Sequence, residues 1–215
     1  MVEILYKSRT AVAILKPAGA LSEGGDENIA ADLAGELRAL GEPDELYVVH
    51  RLDRSVGGVM VLARDKESAR ALSEQFSGRE TIKKYLAVVE GAAECEATLS
   101  DYLYKDSALG KAFVADKKRI GAKECRLSYK RLAMTDMPYS LVEVTLGTGR
   151  FHQIRAQLAA RGLPILGDSK YGAKGRRCRV ALFSSSLTFR DGKKEVTVSA
   201  KPDKSEFPWA EFDLI

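Results

Sequence analysis

The segment His50-Arg51-Leu52-Asp53-Arg54 places one carboxylate between two guanidinium groups. Neighbouring cations favour the charged form of a carboxylic acid, so Asp53 is expected to be a carboxylate at neutral pH. A permanent carboxylate suits a nucleophile or a charge anchor and does not suit a general acid. A surface ion pair, which contributes little to stability, would explain the same residues. The segment alone therefore leaves a catalytic and a purely electrostatic role open.

A second group of polar residues opens a later predicted helix, in the run Gly149-Arg150-Phe151-His152-Gln153-Ile154-Arg155. Apolar residues at helical spacing predict one buried face, formed by Phe151, Ile154 and Leu158. Arg150 and Arg155 should then not both be buried. An arginine that reached Asp53 would orient its carboxylate through charge-assisted hydrogen bonds. A helix with a solvated basic face is the alternative.

Apolar periodicity and turn residues predict the elements that must position these groups. Strands are predicted at 12–15, 59–63, 85–89, 126–134, 141–146, 179–189 and 196–200. One helix is predicted after an N-cap at Asp26 or Asn28, another after an N-cap at Asp65, and a third at the second polar group. Residues 101–121 lack sustained periodicity and are predicted to form an excursion from the fold or a flexible loop. Because strands outnumber helices and several are linked as hairpins, the fold class is α+β, with a mostly antiparallel central sheet flanked by helices.

The composition narrows the class of protein. The chain has 215 residues, of which 45% are hydrophobic, and this suits one globular domain spanning 1–215. A formal net charge of +4 is compatible with a polyanionic partner, and basic clusters lie at 83–84, 117–119 and 174–179. Three cysteines and two histidines, without metal-ligand spacing, predict neither disulfides nor a metal site. No stretch is long enough for a membrane span or a signal-peptide core, so a soluble cytoplasmic protein is expected.

Five motifs in a fixed order resemble the RluA family of RNA pseudouridine synthases. They are Lys16-Pro17-Ala18-Gly19, the run from His50 to Asp53, the run from Lys83 to Gly91, the run from Gly149 to Arg155, and the run from Gly167 to Gly172. Each motif alone would be weak, but the ordered set is specific. The resemblance extends from about Val12 to Phe189, which is nearly the whole chain.

This resemblance implies an isomerase that breaks the C1′–N1 bond of uridine, rotates the base and rejoins it through C5. Asp53 matches the catalytic aspartate of the family, Tyr85 the tyrosine that packs on the flipped base, and Arg155 the arginine that pairs with the aspartate. Arg51 matches a residue proposed to fill the RNA stack when the uridine is flipped out, a step that the chemistry requires. Further substrate contacts are expected from His50, Lys83, Arg150, His152 and Gln153.

The family also implies a pseudouridine synthase fold with a central catalytic cleft, in a single catalytic domain without the S4 RNA-binding domain of many relatives. The expected partner is RNA, either rRNA or tRNA, and the protein is expected to act as a monomer without cofactor or metal. RNA recognition depends on shape and splayed bases, so the target uridine is not encoded in these motifs.

Three positions depart from the family pattern. Val56-Gly57-Gly58 stands where the family usually has Thr-Ser-Gly, Phe151 replaces a threonine, and Leu182-Phe183-Ser184 replaces Leu-His-Ala. None of these changes removes a residue assigned to the chemistry, but they indicate a divergent member. The alternative function is a catalytically inactive RNA-binding or RNA-folding protein of the same fold. A serine hydrolase is disfavoured because the chain has no Gly-x-Ser-x-Gly elbow.

Overall fold

A computed structural model describes residues 1–25, 28–175 and 177–213. The chain divides into two compact units. The first unit comprises Met1–Lys83 and Phe183–Pro202, and the second unit comprises Lys84–Leu182 and Asp203–Ile215.

The regular elements of the described residues are, in chain order, β1 (Glu3–Lys7), β2 (Ala11–Lys16), α1 (Ile29–Ala39), β3 (Tyr47–Val48), β4 (Gly57–Ala63), α2 (Lys66–Gly78), β5 (Ile82–Glu90), β6 (Glu96–Asp106), β7 (Lys111–Ala115), β8 (Lys123–Met134), β9 (Tyr139–Leu146), α3 (Gln153–Ala159), β10 (Leu182–Asp191) and β11 (Lys194–Ser199).

The first unit is organised around β4, whose seven residues are all buried. Along one edge β4 pairs antiparallel with β2, which in turn pairs antiparallel with β1. Its other edge pairs with β10 in parallel and with β3 antiparallel, and β11 continues the sheet beyond β10. Side chains from β4, β10, β11 and α2 form one apolar core, in which Val61 and Phe189 are almost fully buried. A continuous apolar run such as β4 suits a strand covered on both faces.

The two helices of the first unit begin at side-chain caps. Asn28 Oδ1 accepts the N–H of Ala31 at 3.0 Å, and Asp65 Oδ1 accepts the N–H of Ser68 at 2.8 Å. Both contacts satisfy backbone donors that lack an intrahelical partner at a helix start. The predictions of Asn28 and Asp65 as N-caps are confirmed, whereas Asp26 lies outside the described residues.

The second unit contains a five-stranded antiparallel sheet in the order β5-β9-β8-β6-β7. The prediction of a loop at 101–121 is wrong, because β6 continues to Asp106 and pairs with β7 as a hairpin. Within 101–121 only Leu103 and Ala112 are buried, and two such residues are too few to produce a visible apolar period.

Antiparallel pairs predominate in both units, and helices are few. The α+β class and the mostly antiparallel sheet are therefore confirmed. The single domain at 1–215 stays a prediction. None of the described helices is both long and apolar enough to cross a membrane.

Candidate active site

Asp53 lies on the turn that leads into β4, as the sequence predicts. Its carbonyl accepts the N–H of Val56 at 2.9 Å, which closes the turn one residue before the buried strand. The backbone that carries the carboxylate is therefore anchored to the most buried element of the first unit.

The turn that follows β2 holds the backbone on both sides of Asp53. On one side, Gly19 N–H donates to the carbonyl of Arg54 at 2.7 Å, and Arg54 Nε donates back to the carbonyl of Gly19 at 3.0 Å. On the other side, Ser22 Oγ donates to the carbonyl of Leu52 at 2.8 Å and accepts the N–H of Leu52 at 3.1 Å. These reciprocal bonds give Arg54, to which the sequence assigned no role, a place in the scaffold of the turn.

Lys16, at the end of β2, is a cation close to Asp53 that sequence reasoning did not include among the site residues. Its side chain is fully buried, and Nζ donates to the carbonyls of Pro17 at 3.0 Å and Ala20 at 2.7 Å. Burial lowers the pKa of Lys16 to about 8, while the attraction of Asp53 acts in the opposite direction. A lysine that directly ends an apolar strand was the available signal in the sequence.

His50 fixes the start of the same loop. Its Nε2 accepts the N–H of Val61 in β4 at 2.9 Å, and its ring stacks on Phe76 with centroids 4.3 Å apart. Burial, assisted by the positive charge of Lys83, lowers the pKa of His50 to about 3. A neutral imidazole is required for Nε2 to accept a hydrogen bond. The contacts thus give His50 a structural role, and its contact with RNA stays a prediction.

The two other predicted RNA contacts of the first unit differ in exposure. Lys83 Nζ lies 4.9 Å from the ring centroid of Phe76, and burial lowers the pKa of Lys83. Arg51 Nη1 pairs with Glu23 Oε1 at 2.8 Å, but its side chain remains 69% exposed. Such a surface pair is weak, so Arg51 can leave it at little cost when another partner arrives.

In the second unit, Arg155 on α3 forms a buried bidentate ion pair with Asp168. Nε lies 2.7 Å from Oδ2 and Nη2 lies 2.9 Å from Oδ1, and both side chains are almost inaccessible to solvent. The predicted pairing of Arg155 with Asp53 stays a prediction. Sequence reasoning missed Asp168, although this acid stands in the motif from Gly167 to Gly172.

The start of α3 differs from the prediction. The helix begins at Gln153, after His152 in the left-handed region with φ of 50°, and all residues from Gln153 to Leu158 are buried. Phe151 precedes the helix, stacks on the ring of His152 and is 37% exposed. The predicted single apolar face that included Phe151 is therefore wrong, because the helix is covered on every side and Phe151 stands outside it.

Gln153 is built into the turn that starts α3. Its Oε1 accepts from Thr148 Oγ1 at 2.7 Å and from the N–H of Arg150 at 3.0 Å, and its Nε2 donates to the carbonyl of Arg126 and to Gln157. These four bonds use the full capacity of the amide. The geometry favours a structural role for Gln153 over the predicted RNA contact. Arg150 Nε donates to the carbonyl of Glu124 at 3.1 Å.

The remaining predicted residues of the second unit occupy ordered positions. Tyr85 is buried on β5, in register with Val144 of β9. His152 Nδ1 lies 3.0 Å from the hydroxyl oxygen of Tyr171, which also accepts the N–H of Ala112. Each unit therefore carries part of the predicted residue set.

Comparison with known proteins identifies the family. Residues 10–160 match the family described as RNA pseudouridylate synthase. The chain belongs to the RluA family of RNA pseudouridine synthases. The resemblance drawn from the motifs is thereby confirmed, and the protein is an isomerase.

Relatives and solved structures named as pseudouridine synthases match this chain along most of its length. The chain is 32% identical to tRNA pseudouridine synthase C of Haemophilus ducreyi, with 96% of each protein covered. It is 30% identical to ribosomal large subunit pseudouridine synthase D of Borreliella burgdorferi, covering 96% of this chain and 65% of that relative. The structure of human RNA pseudouridylate synthase domain containing 4 superposes with a TM-score of 0.82 at 25% identity, covering 94% of this chain and 89% of that one. None of these relatives supports the inactive alternative.

Two of the synthase's departures from the family pattern lie side by side in the first unit. Gly57 and Gly58 pair in register with Phe183 and Ser184 across the parallel β4–β10 ladder. Gly58 has φ of 120°, and a Cβ there would lie 2.2 Å from the carbonyl oxygen of Ser184. The two divergent motifs are therefore neighbours in the fold, and the glycine that both this chain and the family pattern have at position 58 leaves no room for a side chain against Ser184.

Within residues 1–25, 28–175 and 177–213, no group of three or more His, Cys, Asp or Glu side chains is placed to hold a metal ion.

Proposed function

We propose that this synthase converts uridine to pseudouridine in structured tRNA or rRNA, with Asp53 as the nucleophile. The relatives named above, which by their names act on tRNA or on the large ribosomal subunit, support this class of substrate. The observation that carries the assignment of Asp53 is the bonding of its loop, which the turn after β2 holds from both sides.

The chemistry of the isomerisation suits an ionised, immobile carboxylate. The C1′–N1 bond breaks, the base rotates and a C1′–C5 bond forms; C5 loses a proton and N1 gains one, so no co-reactant is consumed. Asp53 attacks the ribose or the base ring and is released when the new bond has formed. The buried ammonium group of Lys16, which attracts Asp53, supplies a positive charge beside the proposed nucleophile.

Two residues of the second unit complete the proposed catalytic set. Tyr85 packs on the flipped base and assists in removing the C5 proton. Arg155 pairs with the nucleophile; its bidentate bonds to Asp168 support this role, because they hold the guanidinium plane in one orientation. The reacting atoms lie inside the RNA stack, so the base must flip out, and the exposed side chain of Arg51 is suited to fill the gap.

The basic clusters at 117–119 and 174–179 are proposed to contact RNA phosphates; Arg176 of the second cluster lies outside the described residues. We further propose that the synthase acts as a monomer in the cytoplasm, where its RNA substrates would be found. Gel filtration with light scattering tests the oligomeric state.

The test of the nucleophile is Asp53→Asn. The variant is expected to bind RNA as the wild type does and to form no pseudouridine in unmodified tRNA and rRNA transcripts, measured by chemical mapping of pseudouridine. The matched control is Asp44→Asn, which makes the same change in an exposed ion pair with Arg38 and should leave activity intact. Full activity of Asp53→Asn would show that another group is the nucleophile.

A further inference from the structure

The outer face of the β6–β7 hairpin presents three aromatic rings. Tyr102 and Tyr104 of β6 alternate with Leu103, and Tyr104 pairs in register with Phe113 of β7. Directly paired residues in an antiparallel ladder share one face of the sheet. Tyr102, Tyr104 and Phe113 therefore form one surface, called here the aromatic platform.

The opposite face of the hairpin already has a covering. Leu103 and Ala112 are buried in an apolar cluster with Cys125, Ala156 and Tyr171. The hairpin is thus held in place from one side, and the aromatic platform is the side that the core does not use. Phe113 on this platform is 37% exposed.

Each ring of the platform has a basic partner. Lys117 Nζ lies 5.9 Å from the ring centroid of Tyr102, and the Arg119 guanidinium carbon lies 3.7 Å from that of Tyr104. Lys111 Nζ lies 5.3 Å from the centroid of Phe113. Among the residues that the structure describes, these three cations form no ion pair with a carboxylate. Exposed contacts of a cation with a ring are weak, so phosphates can draw these side chains away from the rings.

The charge of the segment points to a polyanion. From Tyr102 to Lys123 the chain carries six basic and two acidic residues, an excess equal to the formal net charge of the whole protein. The two acids are engaged by the backbone: Asp106 accepts the N–H of Leu109, and Asp116 accepts the N–H of Lys118. The turns at Asp116–Ala122 place the basic side chains over the rings.

We propose that the aromatic platform binds unpaired nucleotides of the RNA substrate, with bases stacked on its rings and phosphates contacted by Lys111, Lys117 and Arg119. Aromatic rings interleaved with cations bind single strands in this way, because every base has a π-face and every nucleotide a phosphate. The proposal rests on the proposed function, since it assigns to the same RNA a second contact outside the catalytic residues.

The test is the binding of a fluorescent, mixed-sequence RNA strand of about 12 nucleotides, measured by anisotropy. Tyr104→Leu is expected to weaken binding about 10-fold through lost stacking, whereas Tyr104→Phe should bind like the wild type. Val114→Ala, a truncation on the opposite face of the same hairpin, is the matched control and should leave binding unchanged. Arg119→Gln changes an exposed residue outside the apolar core, so the variant keeps the fold. It should lower the salt slope of binding by about one counterion.

Several outcomes separate this proposal from the proposed function. If Tyr104→Leu and Arg119→Gln both bind the single strand as tightly as the wild type, the proposed binding of RNA by the aromatic platform is wrong, even when the wild type forms pseudouridine. If Tyr104→Leu loses binding to a blunt duplex as strongly as to the single strand, base stacking is overturned. If the wild type forms no pseudouridine but the Tyr104→Leu and Tyr104→Phe variants differ as expected, the platform is supported while the proposed function fails.

Discussion

Replacing Asp168 with asparagine is expected to lower the free energy of unfolding of the second unit by about 2–4 kcal/mol. Asp168 accepts two charge-assisted hydrogen bonds from Arg155, at 2.7 and 2.9 Å, in a site that is almost closed to solvent. Such bonds contribute roughly 1.5–3 kcal/mol each. Asparagine keeps one uncharged acceptor and turns an N–H group toward the guanidinium, so at least one bond is lost and the other is weakened.

The assay is urea denaturation followed by the fluorescence of Trp209, the only tryptophan of the chain, which is buried in the second unit. For a chain of this length the loss corresponds to a melting temperature lower by about 5–15 °C. The matched control is Glu143→Gln, which breaks the partly exposed pair between Lys84 and Glu143 and should cost less than about 1 kcal/mol.

If Asp168→Asn lowers the free energy of unfolding no more than Glu143→Gln does, burial does not strengthen the pair between Asp168 and Arg155. Activity gives a second readout, because the proposed role of Arg155 needs its guanidinium held in one orientation. Asp168→Asn should therefore slow pseudouridine formation even at a temperature where the variant is fully folded. An unchanged rate would show that Asp168 does not position Arg155.

Three further predictions concern the first unit. The pKa of His50 is about 3 in the folded chain and about 6.5 in the unfolded chain, so between these pH values only the unfolded chain binds a proton and stability falls on acidification. His50→Gln should therefore reduce the slope of unfolding free energy against pH by about 1.4 kcal/mol per pH unit in this window. Identical slopes for the variant and the wild type, measured by circular dichroism, would contradict this prediction. Gly58→Ala should lower the free energy of unfolding by more than about 3 kcal/mol or prevent folding, because the added Cβ would lie 2.2 Å from a backbone oxygen at a residue with φ of 120°. The control is Gly35→Ala, in an open position of α1, which should raise the free energy of unfolding by about 0.5–1 kcal/mol. Lys16→Met keeps the approximate volume but removes the buried charge near Asp53, and should reduce the single-turnover rate by up to about 100-fold. It should also lower the free energy of unfolding by about 1–3 kcal/mol, because the carbonyls of Pro17 and Ala20 lose their donor. A wild-type rate of the folded variant would exclude a role for that charge.

Much of the first unit could be predicted because its signals are local. A continuous apolar run such as β4 is stable only when both faces are covered, and Asp65 caps the helix that starts one residue later. The β6–β7 hairpin was missed for the converse reason. One face of the hairpin is covered by only a few side chains, and the other face carries aromatic and basic residues. The sequence therefore shows no apolar period that would indicate these two strands.

The sequence by itself determined the α+β class, the family and the turn that carries Asp53, because ordered motifs and apolar runs are properties of neighbouring residues. Tertiary structure alone decided which side chains meet: Asp168 with Arg155, Gly19 with Arg54, and Val61 with His50. These partners lie 11 to 35 residues apart, and their contact depends on how strands and turns pack. Burial, which gives His50 and Lys16 their lowered pKa values, is likewise a property of the packed fold and of no single segment.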